Sequence, residues 1–196
     1  MEYQVAEIFN SIQGEGLHMG LATTFIRLSG CNLKCPWCDT NFEKRFSLSD
    51  TEILLRYRPL QRVVITGGEP TLQDLEPLLE KLACEGHHIA IETNGTNSTK
   101  DMRRRGLLNW VTCSPKRENG YRIHPECEVD EVKLVVDDEF NTSLIPYTMF
   151  DDYAGRLWLQ PESSNMKANM KRCYELAMQI PGARVGIQLH KILGVE

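Results

Sequence analysis

Cys31, Cys35 and Cys38 stand together in the segment Gly30-Cys-Asn-Leu-Lys-Cys-Pro-Trp-Cys-Asp-Thr40. Thiolates this close on one loop are ligands, and a chain that carries them must hold the loop on a frame beside space for what they bind. Their count narrows the chemistry. A structural zinc site or an electron-transfer iron–sulfur cluster takes four protein ligands, and no further Cys follows at comparable spacing. Three thiolates on a four-iron, four-sulfur (4Fe-4S) cluster leave one iron open to a small molecule. Two plainer readings use the same residues. Cys35-Pro-Trp-Cys38 has the spacing of a dithiol redox motif, and a closed zinc site could borrow a His, Cys113 or Cys127.

The rest of the composition bounds the frame. With 196 residues, 41% hydrophobic and 25% charged, the chain suits a single domain, 1–196, with a real core. No apolar run approaches the roughly 20 residues that cross a bilayer, and the start, Met-Glu-Tyr-Gln-Val-Ala-Glu, has neither the basic opening nor the apolar run of a signal peptide. A cytoplasmic protein with no membrane partner is expected. Seven Cys, an odd number, argue for reduced thiols, and Cys84, Cys113, Cys127 and Cys173 read as small core or surface residues. A net charge of -5 and the lack of a basic stripe speak against nucleic acid. Arg103-Arg104-Arg105, the one basic cluster, reads as a solvated helix end.

Strands and helices alternate along the chain. Thr24 to Leu28 reads as a strand running into Gly30 and the cysteine loop, and Ser11-Ile-Gln-Gly-Glu-Gly16 as a polar approach to it. Ser49 and Glu52 form a capping box for a helix that stops before Pro59. Arg62 to Thr66 is a second strand, its Val63-Val64-Ile65 continuous as in a strand covered on both faces. Leu72, Leu75, Leu78, Leu79 and Leu82 recur at helical spacing until Gly86. Further strands are expected at Ile89–Glu92, Trp110–Cys113, Val132–Val136, Leu157–Leu159 and Val185–Leu189, with a long helix from about Asn165 to Ile180. Polar motifs sit at the ends of successive strands, the edge that carries the active site in α/β folds. The pattern points to an enzyme.

Thr66-Gly67-Gly68-Glu69-Pro70 is, taken alone, a tight turn after a strand. Downstream of a three-cysteine loop it resembles the segment with which radical S-adenosylmethionine (SAM) enzymes meet the amino group of the cofactor's methionine. Gln13-Gly-Glu-Gly16, Phe25-Ile-Arg-Leu28, Glu92-Thr-Asn-Gly-Thr96, Ser114-Pro-Lys116, Gln160-Pro161 and Gln188-Leu-His-Lys191 narrow the likeness. Together, in the same order and over nearly the whole chain, these motifs resemble the 7-carboxy-7-deazaguanine synthase family.

That resemblance implies an incomplete, modified (β/α) barrel and a homodimer. It implies a lyase that turns 6-carboxy-5,6,7,8-tetrahydropterin into 7-carboxy-7-deazaguanine with loss of ammonia, on the way to queuosine and other 7-deazapurines. A cluster-bound SAM would supply a radical that takes hydrogen from C6 of the pterin, with a flavodoxin or ferredoxin as reductant. Carried onto this chain, Cys31, Cys35 and Cys38 hold the 4Fe-4S cluster. Ile12, Gln13, Gly14, Glu15, Arg27, Thr66, His190 and the terminal carboxylate of Glu196 meet substrate. Trp37, Cys38, Asp39, Gly67, Gly68, Glu69, Asn94, Ser114, Pro115, Lys116 and Gln160 surround SAM, and Thr40 reaches a magnesium ion (Mg2+). Two other readings remain at this point: an activase that makes a glycyl radical on a large partner, and a noncatalytic zinc-binding adaptor.

Overall fold

The computed structural model describes residues 1–40, 45–57 and 59–195. Its strands are β1 (Glu2–Ile12), β2 (Ala22–Leu28), β3 (Phe46–Ser49), β4 (Arg62–Gly67), β5 (His88–Thr93), β6 (Trp110–Cys113), β7 (Glu131–Val136), β8 (Leu157–Pro161) and β9 (Ala183–Val185). The helices are α1 (Asp50–Tyr57), α2 (Glu76–Cys84), α3 (Lys100–Arg104), α4 (Thr148–Asp152), α5 (Met166–Ala177) and α6 (Leu189–Leu193). One sheet takes all the strands in the order β3-β1-β2-β4-β5-β6-β7-β8-β9. β2 and β4 to β9 run parallel, while β1 lies antiparallel to both β2 and β3. β3 and β9 end the sheet, which therefore stays open: a mixed α/β, incomplete barrel.

β4 shows why. Val63, Val64 and Ile65 are all 0% exposed, but alternation sends them to different cores. Val63 and Ile65 pack outward with Ile53 of α1 and with Leu78, Leu79 and Leu82 of α2. Val64 turns inward to Phe25 and Ala90, a small apolar floor flanked by Phe9 and Trp110. A second outer core lies under β7 and β8, where Val132, Leu134 and Leu159 meet Met149 of α4 and Cys173 of α5. Burying a side chain such as Leu79 stabilises the fold by roughly 1.5–3 kcal/mol. The capping box forms as expected: Ser49 N donates to Glu52 Oε2 at 2.8 Å, and Glu52 N to Ser49 Oγ at 3.2 Å.

The inner face closes at its lower end. Arg62, which opens β4, donates to Nδ1 of His18 at 2.6 Å and to Nδ1 of His88 at 3.0 Å. The His18 ring meets Trp110 edge-on, with centroids 4.5 Å apart. The loop between β1 and β2 thus plugs the bottom of the half-barrel.

Three expectations change. β1 and β3 are strands that the sequence reading left out. The helix expected from Leu72 divides into a short 3-10 turn, Pro70–Leu72, and α2 from Glu76, whose N–H is met by the Asp74 side chain at 3.3 Å. The strand expected at Val185–Leu189 stops at Val185, so His190 stands on α6 and not at a strand edge. The Arg103–Arg105 cluster stands at the end of α3 as expected, with Arg104 and Arg105 exposed; Arg103 pairs with Asp130 at 2.9 Å, and Arg105 with Glu76 at 2.5 Å and also with Glu80.

Candidate active site

The inner face carries a cavity of about 610 Å³, within the range of small-molecule sites. Cys31, Cys35 and Cys38 stand at one end, with Gly67 and Gly68 beside them. Gly68 has to be glycine, because a Cβ there would run into Gly30 O and Cys31 Cβ. Glu69 N donates to Gly30 O at 2.9 Å and Gly68 N to Leu28 O at 3.2 Å, so the turn after β4 is laced to the root of the cysteine loop. Burial raises the Cys31 thiol and pushes Cys35 up to about 12, the second helped by Glu118 and opposed by Lys116. Such thiols become thiolates when a metal takes up their charge.

Arg27 projects from β2 into the same cavity, close to the end of the cysteine loop. Its Nε donates to Glu7 Oε1 at 2.6 Å, its terminal nitrogen approaches Thr40 Oγ1 at 3.4 Å, and its plane covers the Phe9 ring. Gln13 donates to Glu92 Oε1 at 3.0 Å, and Thr66 to Glu92 Oε2 at 3.2 Å. Glu15 takes Gln188 Nε2 on one oxygen at 2.8 Å and the Lys133 ammonium on the other. Burial works to raise the Glu15 carboxyl, but Lys133 and Gln188 outweigh it and hold it below the usual range. The His190 ring presses on Gly14, leaving no room for a Cβ, and burial lowers its basicity.

Lys116 also lines the cavity. Its ammonium lies 4.9 Å from the centre of the Trp37 ring and donates to Ser114 Oγ at 2.7 Å. Burial, with Lys133 nearby, lowers its pKa. Gln160 is 3% exposed and lines the cavity, and both polar atoms of its amide are buried without a partner. A buried amide left bare is costly, and its position makes it a contact for a ligand.

Ile12, Asp39, Thr40 and Asn94 also line the cavity. Two of the expected cofactor residues do not. Glu69 is 0% exposed, and its carboxylate is used up inside the protein by Thr71 N, Thr71 Oγ1, Thr93 Oγ1 and Asn94 N. Pro115 is buried and faces a small crevice with Trp37 and Tyr121. Glu196 lies outside the described residues. Sequence reasoning missed Lys133, Glu92 as a site residue, Glu7 and Gln188. The signal for Lys133 was present: Glu131-Val-Lys-Leu-Val-Val136 alternates charged residues with apolar ones, which is how a strand between a core and a polar cavity reads.

The model for the Radical SAM superfamily matches residues 25–119. The 7-carboxy-7-deazaguanine synthase of Aquifex aeolicus (strain VF5) is 39% identical, over 97% of this chain and 93% of that one. This chain belongs to the 7-carboxy-7-deazaguanine synthase family. The enzyme of that name from Bacteroides thetaiotaomicron is 37% identical over 100% of both chains. The crystal structure of QueE from Escherichia coli superposes with a TM-score of 0.73 at 27% identity, over 97% of this chain and 95% of that one.

Membership of the 7-carboxy-7-deazaguanine synthase family, within the radical SAM superfamily, implies a 4Fe-4S cluster and SAM, and the residues fit both. Among the described residues no three His, Cys, Asp or Glu side chains, the three cavity thiols included, are grouped to hold a single metal ion. Of the other thiols, Cys113, Cys127 and Cys173 are buried and Cys84 is exposed, and none lines the cavity. The bare amide of Gln160, the Lys116 ammonium and the glycine-only approach of Gly68 form a cradle beside the three cavity thiols. Magnesium fits less well. Thr40 offers one neutral oxygen, next to the Arg27 guanidinium, and Asp39 is already paired with Lys191 at 2.8 Å.

Proposed function

We propose that this protein converts 6-carboxy-5,6,7,8-tetrahydropterin to 7-carboxy-7-deazaguanine with release of ammonia. The observation that carries this reading is one cavity that gathers three thiols and a glycine turn together with a guanidinium and a hydrogen-bonding loop. When bound, the cluster and SAM supply hydrogen abstraction from an unactivated C–H bond. Cys31, Cys35 and Cys38 hold the cluster. Gly68, Asn94, Ser114, Lys116 and Gln160 hold SAM, with Trp37 and Asp39 along its edge.

The chain's own residues do the rest. Arg27 offers a planar fork to the substrate carboxylate, its Nε already fixed by Glu7. Gln13, Glu15, Thr66 and His190 present donors and acceptors to the pterin ring. Glu15 stays ionised beside Lys133, so it accepts and does not donate. His190, its basicity lowered by burial, is neutral at pH 7 and can donate from one ring nitrogen. Carrying Asp39 and Lys191 across the mouth helps exclude water.

Thr40 alone does not make a magnesium site, so a hard cation there takes most of its ligands from substrate and water. The open iron needs an external one-electron reductant. Exposed apolar side chains on the plug loop and on α6, among them Leu17, Met19 and Ile192, support a homodimer; among the described residues no helix is long and apolar enough to cross a membrane, and we place the protein in the cytoplasm. A glycyl-radical activase has no use for Arg27 and the Gln13–Gly16 loop facing a small-molecule cavity.

One anaerobic reconstitution tests the reading. Iron and sulfide should bind in preference to zinc, and the reduced protein with SAM and the pterin should form 7-carboxy-7-deazaguanine. Bound zinc with no product supports the adaptor. Cleavage of SAM that the pterin does not affect supports the activase.

A further inference from the structure

β7 carries two charged residues on its inward face for which the chemistry above has no direct use. Glu131 is 3% exposed, yet its carboxylate gathers four donors from three segments: Leu17 N at 2.9 Å from the plug loop, Thr112 Oγ1 at 2.9 Å and Trp110 Nε1 at 3.3 Å from β6, and Trp158 Nε1 at 2.8 Å from β8. Gly16, at φ +72°, lies so close that a Cβ would strike this carboxylate. Two residues along, Lys133 pairs with Glu15, both of them on the cavity wall, and the Lys133 carbonyl accepts Ser114 Oγ at 2.9 Å.

The loop these residues grip closes on itself through Gln13 N to Leu21 O and Gly20 N to Gln13 O, each at 2.8 Å, and takes Leu189 N on Gly14 O at 2.9 Å. It is rich in glycine, which costs entropy to order, and its larger apolar residues face outward: Leu17 is 52% exposed, Met19 41% and Leu21 48%. His18 anchors its far side to Arg62. Glu131 and Lys133 anchor its near side, the side that carries Gln13 and Glu15 into the cavity. Buried charges are expensive to desolvate and repay that cost only with good partners. Placing two of them on one strand, both aimed at one loop, fixes that loop in a single conformation.

We propose that Glu131 and Lys133 are positioning residues for the pterin, acting through the loop: Glu131 holds Leu17 N–H and Lys133 holds the Glu15 carboxylate. This rests on the substrate reading given above. Neither residue touches the reacting atoms, and neither belongs to the SAM cradle.

The test uses holoenzyme with cluster and SAM bound, titrated with 6-carboxypterin and followed by pterin fluorescence. Glu131→Gln and Lys133→Met should each raise the Kd for the pterin about tenfold or more, as expected for a lost charge-assisted contact. SAM affinity and iron content should stay at the wild-type level. Lys133→Met keeps the test alive if Glu131→Gln fails to fold. Wild-type pterin affinity in the folded variants, or parallel loss of pterin and SAM affinity, overturns the proposal. A wild-type protein that binds no pterin overturns it together with the substrate reading, whereas bound pterin unaffected by the substitutions overturns the positioning role alone.

Discussion

Lys191 Nζ lies 2.8 Å from Asp39 Oδ2 and 3.1 Å from Ser163 Oγ, so α6 is pinned both to the end of the cysteine loop and to the turn after β8. Burial works to raise the Asp39 carboxyl, but the Lys191 hydrogen bond and charge hold it below its ordinary value. The pair is partly exposed, at 37% and 60%, so Lys191→Met should change global stability by less than about 1 kcal/mol. Local order should suffer more. Amide exchange over 189–195 should speed up in the variant while β4 and β5 are unchanged, and identical exchange in the two proteins would show that the latch holds nothing.

Gly68→Ala tests the approach of the β4 turn to the cysteine loop. The added Cβ meets backbone at Gly30, which cannot swing aside as a side-chain end can. Reconstituted iron per chain should fall and the melting temperature should drop by several degrees, as for a strain of about 1–3 kcal/mol. Full iron content in this variant would mean that the loop docks independently of the turn.

Arg27→Lys replaces a fork by a point charge. Its Nε bond to Glu7 is lost, and with it the orientation of the remaining donors. The Michaelis constant for the pterin should rise by a factor matching about 1.5–3 kcal/mol, with SAM binding unaltered. A lysine variant with wild-type kinetics would make Arg27 a structural residue of β2.

The plug at the bottom of the half-barrel predicts a pH dependence. Burial, then Arg62, lowers both His18 and His88 from their ordinary 6.5. The unfolded chain therefore binds more protons than the native one just below that value, so stability is complete above about pH 6.5 and falls as pH drops through it. Urea midpoints should be lower at about pH 5.5 than at about pH 8. In His18→Gln, which still accepts from Arg62 but does not titrate, the gap should narrow. An unchanged gap would place the pH response elsewhere.

These contacts mark what the sequence disclosed and what it withheld. The Val63-Val64-Ile65 run was legible because a strand covered on both faces has no polar alternation to obscure it, and the cysteine and glycine motifs were legible because their spacing is chemistry. β1 was not, because only Tyr3, Val5 and Ala6 of it are buried and its polar Gln4, Glu7 and Asn10 read as an irregular lead-in. The strand proposed for Val185–Leu189 has the right alternation, but Gly186 packs so tightly on the Gln160 amide that a Cβ would not fit, and the chain turns into α6 instead. Glu69 sits inside a recognised motif, yet its carboxylate organises Thr71, Thr93 and Asn94 beneath the site. The grip of Lys133 on Glu15 joins residues far apart in the chain and appears only once β7 lies beside the plug loop.

The central claim is that the cavity brings C6 of a carboxylated tetrahydropterin to the cluster end. The most direct measurement is the fate of deuterium placed at that carbon, followed by mass spectrometry in the reduced, reconstituted protein with SAM. The account predicts 7-carboxy-7-deazaguanine as product with the label passing into SAM, and no turnover in Cys31→Ala, Cys35→Ala or Cys38→Ala. A fully iron-loaded protein that cleaves SAM without taking up the label, or a Cys→Ala variant that still turns over, would contradict it.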